Sequence, residues 1–134
     1  MKYLLDTNVC IRCLRKSHPK MRQELASRSP SDIYLSTVVL SELYRGTLRS
    51  TNPSAERSKV DAFVAPFAIL PFDTAAAGVH ANIRVDLERR GLVIGPYDGM
   101  IAAIAIANDL TLITHNTAEF ARVSILSIED WELP

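Results

Sequence analysis

Four carboxylates stand at points of the sequence where a short apolar run ends or an apolar helix begins. They are Asp6, Glu42, Asp98 and Glu119. Carboxylates that crowd into one crevice repel one another and resist ionisation unless a cation neutralises them. Ligation by oxygen alone suits Mg²⁺, or Mn²⁺ in its place, better than zinc. Because the sequence offers no evident Ser–His or Cys–His pair, the four acids favour a metal-activated water that attacks a phosphodiester.

Each acid, taken singly, also has a purely structural explanation. Asp6 is suited to capping a helix, and Asp98 stands where a helix dipole favours an anion. Asn116 and Glu119 have the spacing of a capping box, and Glu42 fits the exposed side of a helix. The metal site is therefore favoured only if the four acids meet.

Short apolar strands that alternate with helices would position these acids. The predicted strands are 3–5, 33–35, 68–70, 111–114 and 124–128. The predicted helices are 7–16, 19–27, 38–48, 55–64, 74–90 and 96–108, with a helical turn over 116–120. The alternation predicts an α/β fold with a mostly parallel sheet covered by helices on both faces. Strands of such a sheet end at one shared edge, where ligands bind, so the four acids are expected to meet there.

Length and composition predict one globular domain over residues 1–134. The longest nearly uncharged run, 100–106, is far too short to span a bilayer, so no membrane partner is expected. The first residues lack the layout of a signal peptide because Asp6 interrupts them. A cytoplasmic protein is the expectation.

The charges are unevenly distributed, although they sum to zero. Residues 1–60 hold eleven Lys or Arg against five Asp or Glu, and residues 61–134 hold four against ten. This asymmetry permits a basic face for a polyanion, and a dipolar but solvated surface is the alternative.

Cys10 and Cys13 have the C-x-x-C spacing of a redox pair or of half a zinc site. Their flanks continue an apolar helical pattern, which favours unreactive thiols in the core. His18 would supply at most one further zinc ligand, so zinc is disfavoured at this point.

The end of the chain carries further acids. Glu129, Asp130 and Glu132 are expected to form a solvated tail, with Trp131 as a packing anchor. His115 adjoins the proposed site, but attack by a metal-activated water does not require a histidine base.

Four short motifs, in order and spacing, resemble a known family. They are Leu5-Asp6-Thr7-Asn8, Ser41-Glu42, Gly95-Pro96-Tyr97-Asp98, and Thr114-His115-Asn116 with Glu119-Phe120. Together they resemble PIN-domain ribonucleases and, more narrowly, the VapC toxins of bacterial toxin–antitoxin pairs. The likeness runs the length of the chain. It implies a three-layer α/β/α sandwich with the first strand near the centre of the sheet.

The resemblance also implies roles for particular residues. The main catalytic and metal-binding acids would be Asp6, Glu42 and Asp98, with Glu119 or Asn116 completing the set. The supporting polar residues would be Thr7, Thr114 and Asn116. The implied cofactor is Mg²⁺, with Mn²⁺ as a substitute.

The activity implied by the resemblance is Mg²⁺-dependent cleavage of specific RNA, with initiator tRNA cut in the anticodon loop as the narrower candidate. The implied partners are a second copy of the chain and a VapB-type antitoxin that fills the substrate groove. The candidate residues for binding RNA phosphates are Arg12, Arg15, Lys16, Lys20 and Arg45.

Two other classes of protein compete with the enzyme. One is a catalytically silent PIN scaffold that acts as a binding protein through its antitoxin or a nucleic-acid complex. The other is a phosphoacceptor of the response-regulator type, which also gathers acids around Mg²⁺. A phosphoacceptor would need a lysine at the end of a later strand, and none follows the fourth or fifth predicted strand.

Overall fold

The first strand occupies the centre of a five-stranded parallel sheet whose order is β3-β2-β1-β4-β5. The computed structural model of the protein describes residues 1–133. The strands are β1 Tyr3–Leu5, β2 Ile33–Ser36, β3 Ala68–Leu70, β4 Thr111–Ile113 and β5 Ile128–Glu129. Leu4 and Leu5 are fully buried, as befits a central strand of a parallel sheet covered on both faces.

Helices fill the connections between the strands. They are α1 Thr7–Arg15, α2 Pro19–Ala26, α3 Thr37–Leu48, α4 Pro53–Val64, α5 Thr74–Arg89, α6 Pro96–Ala107 and α7 Thr117–Phe120. A short 3-10 turn, Pro30–Asp32, leads into β2. The result is a three-layer α/β/α sandwich, which confirms the predicted fold class and the central position of the first strand.

Polar caps make helices begin where strands end. The side chains of Asp6, Ser36 and Asp73 accept hydrogen bonds from the backbone N–H groups three residues on, at 2.8, 3.0 and 2.9 Å. Each such cap stabilises its helix by about 1 kcal/mol. Because Ser36 is both the last residue of β2 and the cap of α3, the chain passes directly from strand to helix.

Helix α6 is the most apolar helix of the protein. The residues from Ile101 to Ala105 are fully buried, as the apolar character of this helix predicts. Pro96 occupies its first turn, where a missing backbone N–H costs nothing. A helix buried this deeply gives Asp98, in the same first turn, a rigid support.

The predicted start of the last strand, at residue 124, is wrong. Strand β5 is Ile128–Glu129, and the backbone hydrogen bonds from Val123 N–H to Phe120 and from Leu126 N–H to Val123 belong to turns. Alternation of apolar residues over so short a run does not separate a strand from successive turns. Pairing with β4 decides the bounds, and it begins only where Leu112 N–H donates to Ser127.

Cys10 and Cys13 are buried, unpaired thiols on α1, which confirms the core interpretation. Burial raises the pKa of the Cys13 thiol to about 11. Such thiols remain protonated and unreactive at neutral pH.

None of the helices within residues 1–133 is both long enough and apolar enough to cross a membrane.

Candidate active site

Asp6 stands directly at the carboxyl end of the central strand. It is only 4% exposed, and its Oδ1 accepts from Val9 N–H at 2.8 Å. Burial raises the pKa of its carboxyl, while hydrogen bonds from Thr114 and Val9 and the charge of Arg12 act in the opposite direction. Thr114 is itself fully buried at the end of β4, the neighbouring strand. Asp6 is therefore a buried acid whose ionised form depends on nearby donors and cations.

Glu42 reaches the same place from α3, the helix that follows β2. Its Oε1 accepts a hydrogen bond from the Thr7 hydroxyl at 2.7 Å. Thr7 is the first residue of α1 and adjoins Asp6. This hydrogen bond joins the helices that follow two neighbouring strands, and it holds the Glu42 carboxylate beside the edge of the sheet.

Asp98 provides the clearest sign that the acids have come together. Burial, followed by the charges of Glu119, Asp6 and Glu42, raises the pKa of its carboxyl to about 6. The three other predicted acids therefore lie within electrostatic reach of Asp98. Such a rise is the cost of placing carboxylates together without a cation.

Glu119 is tied to the loop that precedes α6. Its Oε1 accepts from Gly95 N–H at 2.7 Å, and its Oε2 accepts from the Asn116 side-chain amide at 2.6 Å. The capping-box explanation is thus wrong, because Asn116 accepts no side-chain capping hydrogen bond and instead donates to the carboxylate. With both oxygens engaged, Glu119 fixes the approach to Asp98 and also raises its pKa.

Gly95 also belongs to the site. It is part of the Gly-Pro-Tyr-Asp motif, but the sequence does not show why a glycine is needed there. A Cβ atom at this position would lie 3.3 Å from Asp98 Oδ2 and 3.5 Å from Glu119 Oε1. A side chain would therefore crowd two carboxylate oxygens. The sequence predicts only that a helix begins at Pro96, and the folded chain reveals the close approach.

The predicted RNA-binding residues fall into two groups. Arg12 and Arg15 line a cavity of about 460 Å³ with Asn8, Ile11, Ser17 and His18. Arg15 and Lys16 also line a groove of about 870 Å³, and Glu42 lies in its wall. Lys20 is half-buried on α2 and Arg45 is exposed on α3, and neither lines these two cavities.

The expectation of a solvated acidic tail is wrong for two of its residues. The side chains of Asp130 and Glu132 are only 7% and 4% exposed, and each has an oxygen 2.9 Å from His115 Nδ1. Trp131 is buried and packs edge-on against Tyr3, with ring centroids 5.2 Å apart, which confirms it as an anchor. Trp131 was the feature of the sequence that could have predicted this burial, because the neighbours of a buried tryptophan lie close to the core.

Comparisons with known proteins agree with this architecture. A family model described as the PIN domain matches residues 3–126. The chain is 37% identical over 131 residues to the tRNA(fMet)-specific endonuclease VapC of Shigella flexneri, with 98% of each protein covered. It is 36% identical over 135 residues to ribonuclease VapC2 of Rickettsia felis, covering 98% of this chain and 99% of that protein.

A solved structure shows the same similarity in three dimensions. The crystal structure of VapBC2 from Rickettsia felis, bound to a DNA fragment from its promoter, contains a chain that superposes with a TM-score of 0.92. The two chains are 34% identical, and the match covers 98% of this chain and 99% of that one.

Proposed function

Because the chain belongs to the PIN-domain family and to its VapC branch, we propose that it is the endoribonuclease toxin of a toxin–antitoxin pair. One observation carries the proposal beyond family membership. The pKa of Asp98 is raised by the charges of Glu119, Asp6 and Glu42 as well as by burial, so this chain retains its own cluster of interacting acids. A scaffold that only binds partners has no need for carboxylates that destabilise one another.

The cluster fits a divalent cation, on which PIN-domain nucleases generally depend. Its ligands would be the carboxylate oxygens of Asp6, Glu42 and Asp98, and we propose Mg²⁺, with Mn²⁺ as a substitute, because hard cations prefer oxygen. A cation would also relieve the repulsion that raises the pKa of Asp98. When bound, such an ion supplies an acidified water and neutralises charge on the phosphodiester.

The remaining polar residues would position these acids. Thr7 fixes the rotamer of Glu42 through its hydrogen bond, and Thr114 supports Asp6 at the end of β4. Glu119 and Asn116 hold the Gly95 loop, which sets where α6 presents Asp98. Preorganisation of this kind keeps ligands in place without reorganisation during the reaction.

The RNA would enter along the basic side of the site. Arg12 and Arg15 line one cavity, and Arg15 and Lys16 line a second whose wall includes Glu42, so these side chains can contact RNA phosphates near the site. Lys20 and Arg45 would contribute at longer range. By similarity to the relative from Shigella flexneri, we propose initiator tRNA as the substrate.

The proposed partner is a VapB-type antitoxin, since the solved relative from Rickettsia felis is a VapBC complex. A homodimer completes the proposal and would place two sites along one RNA. Sedimentation of the purified chain tests the dimer independently of cleavage.

The decisive experiment incubates the antitoxin-free chain with total bacterial RNA in Mg²⁺ or EDTA and maps the fragment ends by sequencing. We expect a discrete cut that requires Mg²⁺ and is lost in Asp98→Asn. The matched control is Asp86→Asn, which alters an exposed aspartate paired with Arg90 on α5 and should cut normally. Failure of the folded wild type to cut with either Mg²⁺ or Mn²⁺ would favour the silent binding protein.

A further inference from the structure

A second group of ligating side chains lies at the ends of β4 and β5. His115 follows β4 by two residues, and Asp130 directly follows β5. Because these strands pair in parallel, their carboxyl ends are adjacent. Glu132 joins them from just beyond Trp131. One ligand atom from each of the three residues lies within 4.8 Å of the other two.

The hydrogen bonding of this group is incomplete. His115 Nδ1 lies 2.9 Å from Asp130 Oδ2 and 2.9 Å from Glu132 Oε2. One imidazole nitrogen carries at most one hydrogen, so it cannot donate fully to both carboxylates. With that hydrogen given to Asp130, Glu132 Oε2 is buried without a hydrogen-bond partner among the described residues. A buried oxygen in this condition calls for a further ligand such as an ion.

The other oxygen of Glu132 prevents the carboxylate from turning away. Its Oε1 forms an ion pair with Arg12 and lies 3.4 Å from His18 Nε2. The side chain is only 4% exposed, so solvent cannot satisfy Oε2. A metal ion binds the deprotonated form of an imidazole nitrogen, and the carboxylates of Asp130 and Glu132 are accompanied by one guanidinium, that of Arg12.

We propose that His115, Asp130 and Glu132 form a second metal site, which takes Zn²⁺. An imidazole nitrogen with two carboxylate oxygens is a zinc donor set, whereas Mg²⁺ avoids nitrogen. Tetrahedral zinc with bonds of about 2.1 Å separates its ligand atoms by about 3.4 Å. The observed 2.9 Å distances therefore need to open by about 0.5 Å to hold the ion. A water completes the fourth position.

The ion would join the end of β4 to the C-terminal segment. The His115 side chain is half exposed, so ions can reach the site from solvent. The side chains of Asp130 and Glu132 are buried. A ligand that binds only the folded state raises its stability by mass action. The proposal is independent of RNA cleavage, because it concerns donors other than Asp6, Glu42 and Asp98.

The test titrates tagless, metal-free protein with ZnCl₂ in a calorimeter and records thermal melting with and without zinc. The background carries Asp98→Asn, which weakens the oxygen-only cluster as a competing zinc site. We expect one zinc per chain and an increase in Tm of several degrees. His115→Gln and Asp130→Asn, each in that background, should weaken zinc binding at least tenfold and remove the increase.

Co²⁺ provides a spectroscopic check, since four-coordinate Co²⁺ with a nitrogen ligand absorbs in the visible. The bands should appear in Asp98→Asn and disappear when His115→Gln is added. Zinc affinity that is unchanged by both His115→Gln and Asp130→Asn would overturn the proposal, as would the absence of zinc binding in the Asp98→Asn background. Mg²⁺ titration, which should not distinguish the variants, controls for general divalent effects.

Discussion

Two clusters of acids lie at the carboxyl edge of the same sheet, and they differ in whether basic side chains accompany them. Around Asp98, acids surround acids, and the pKa of its carboxyl rises to about 6. Around Glu132, Arg12 and two histidines approach the acid. The first arrangement destabilises the fold until a ligand arrives, whereas the second ties the chain terminus to α1. The same edge of the sheet thus carries one site where carboxylates repel one another and a second where the acid is held by ion pairing.

The largest expected effect is on RNA cleavage, and it should distinguish two aspartates that have the same structural role as helix caps. Asp6 and Asp73 both cap helices, with hydrogen bonds of 2.8 and 2.9 Å, and asparagine caps about as well as aspartate. Both Asp→Asn variants should therefore fold. We expect Asp6→Asn to lower kcat/KM for RNA cleavage by at least about 100-fold, or roughly 3 kcal/mol of barrier, because a proposed ligand is lost.

Asp73→Asn, at the N-cap of α5, serves as the matched control and should cleave at the wild-type rate. A comparable loss in both variants would show that capping, rather than metal ligation, explains the effect. Full activity of Asp6→Asn would remove Asp6 from the proposed site.

The next effect concerns the stability contributed by the ion pair between Arg12 and Glu132. Arg12→Gln leaves the buried Glu132 carboxylate without its guanidinium, and removing one partner of such a pair exposes the desolvation cost of the other. We expect the free energy of unfolding in urea to fall by about 1–3 kcal/mol. Lys59→Gln is the control, since it breaks an exposed pair with Glu56 and should cost less than about 0.5 kcal/mol. Equal losses would show that the Glu132 cluster is no more than a surface ion pair.

Removing a charge from the cluster of Asp6, Glu42, Asp98 and Glu119 should raise the stability of the fold rather than lower it. The pKa of Asp98 is about 6 in the folded chain against a usual 3.8, so between these values the folded state binds more protons than the unfolded state. Stability contributed by this group is therefore lost as pH rises through that window. In EDTA, Asp98→Asn should gain stability relative to wild type between about pH 4 and about pH 7.

Mg²⁺ should reduce or reverse that gain, because it binds the folded wild type and stabilises it by mass action. The measurement is the denaturant midpoint of both proteins at the two pH values, with EDTA and with Mg²⁺. A difference between the proteins that is insensitive to both pH and Mg²⁺ would mean that Asp98 is not under electrostatic stress.

The meeting of Asp6, Glu42, Asp98 and Glu119 could be predicted from sequence because it depends on strands and helix starts that short stretches of sequence specify. Short apolar runs such as Tyr3–Leu5 identify strands, polar caps such as Asp6 and Ser36 begin helices, and parallel order brings strand ends together. These features depend on residues close in sequence. Pattern and topology therefore predict that the four acids meet at one edge, and their roles as metal ligands, which the family resemblance implies, stay a prediction.

The second cluster could not be predicted in the same way. The burial of Asp130 and Glu132 depends on Trp131 packing against Tyr3 and on Arg12 of α1, which lie at the other end of the sequence. Periodicity carries no information on such pairings, and acids at a chain end resemble a solvated tail. For the same reason the start of β5 was misplaced, because pairing with β4 decides it.

Glu119 offers the smallest effect and the sharpest test of its role. Both its oxygens already accept hydrogen bonds, from Gly95 N–H and from the Asn116 amide. Glu119→Gln keeps an oxygen for Gly95 and removes a charge that raises the pKa of Asp98. If Glu119 mainly positions the Gly95 loop, cleavage should stay within about tenfold of wild type, or roughly 1.4 kcal/mol.

Glu119→Ala completes this test, because it releases both Gly95 and Asn116 while removing the same charge. We expect its kcat/KM to fall well below that of Glu119→Gln, since the loop before α6 loses its anchor and Asp98 is no longer held in place. A loss in Glu119→Gln as deep as that in Asp98→Asn would instead make the Glu119 carboxylate a direct metal ligand. The ratio of kcat/KM between the two Glu119 variants therefore distinguishes a positioning residue from a metal ligand.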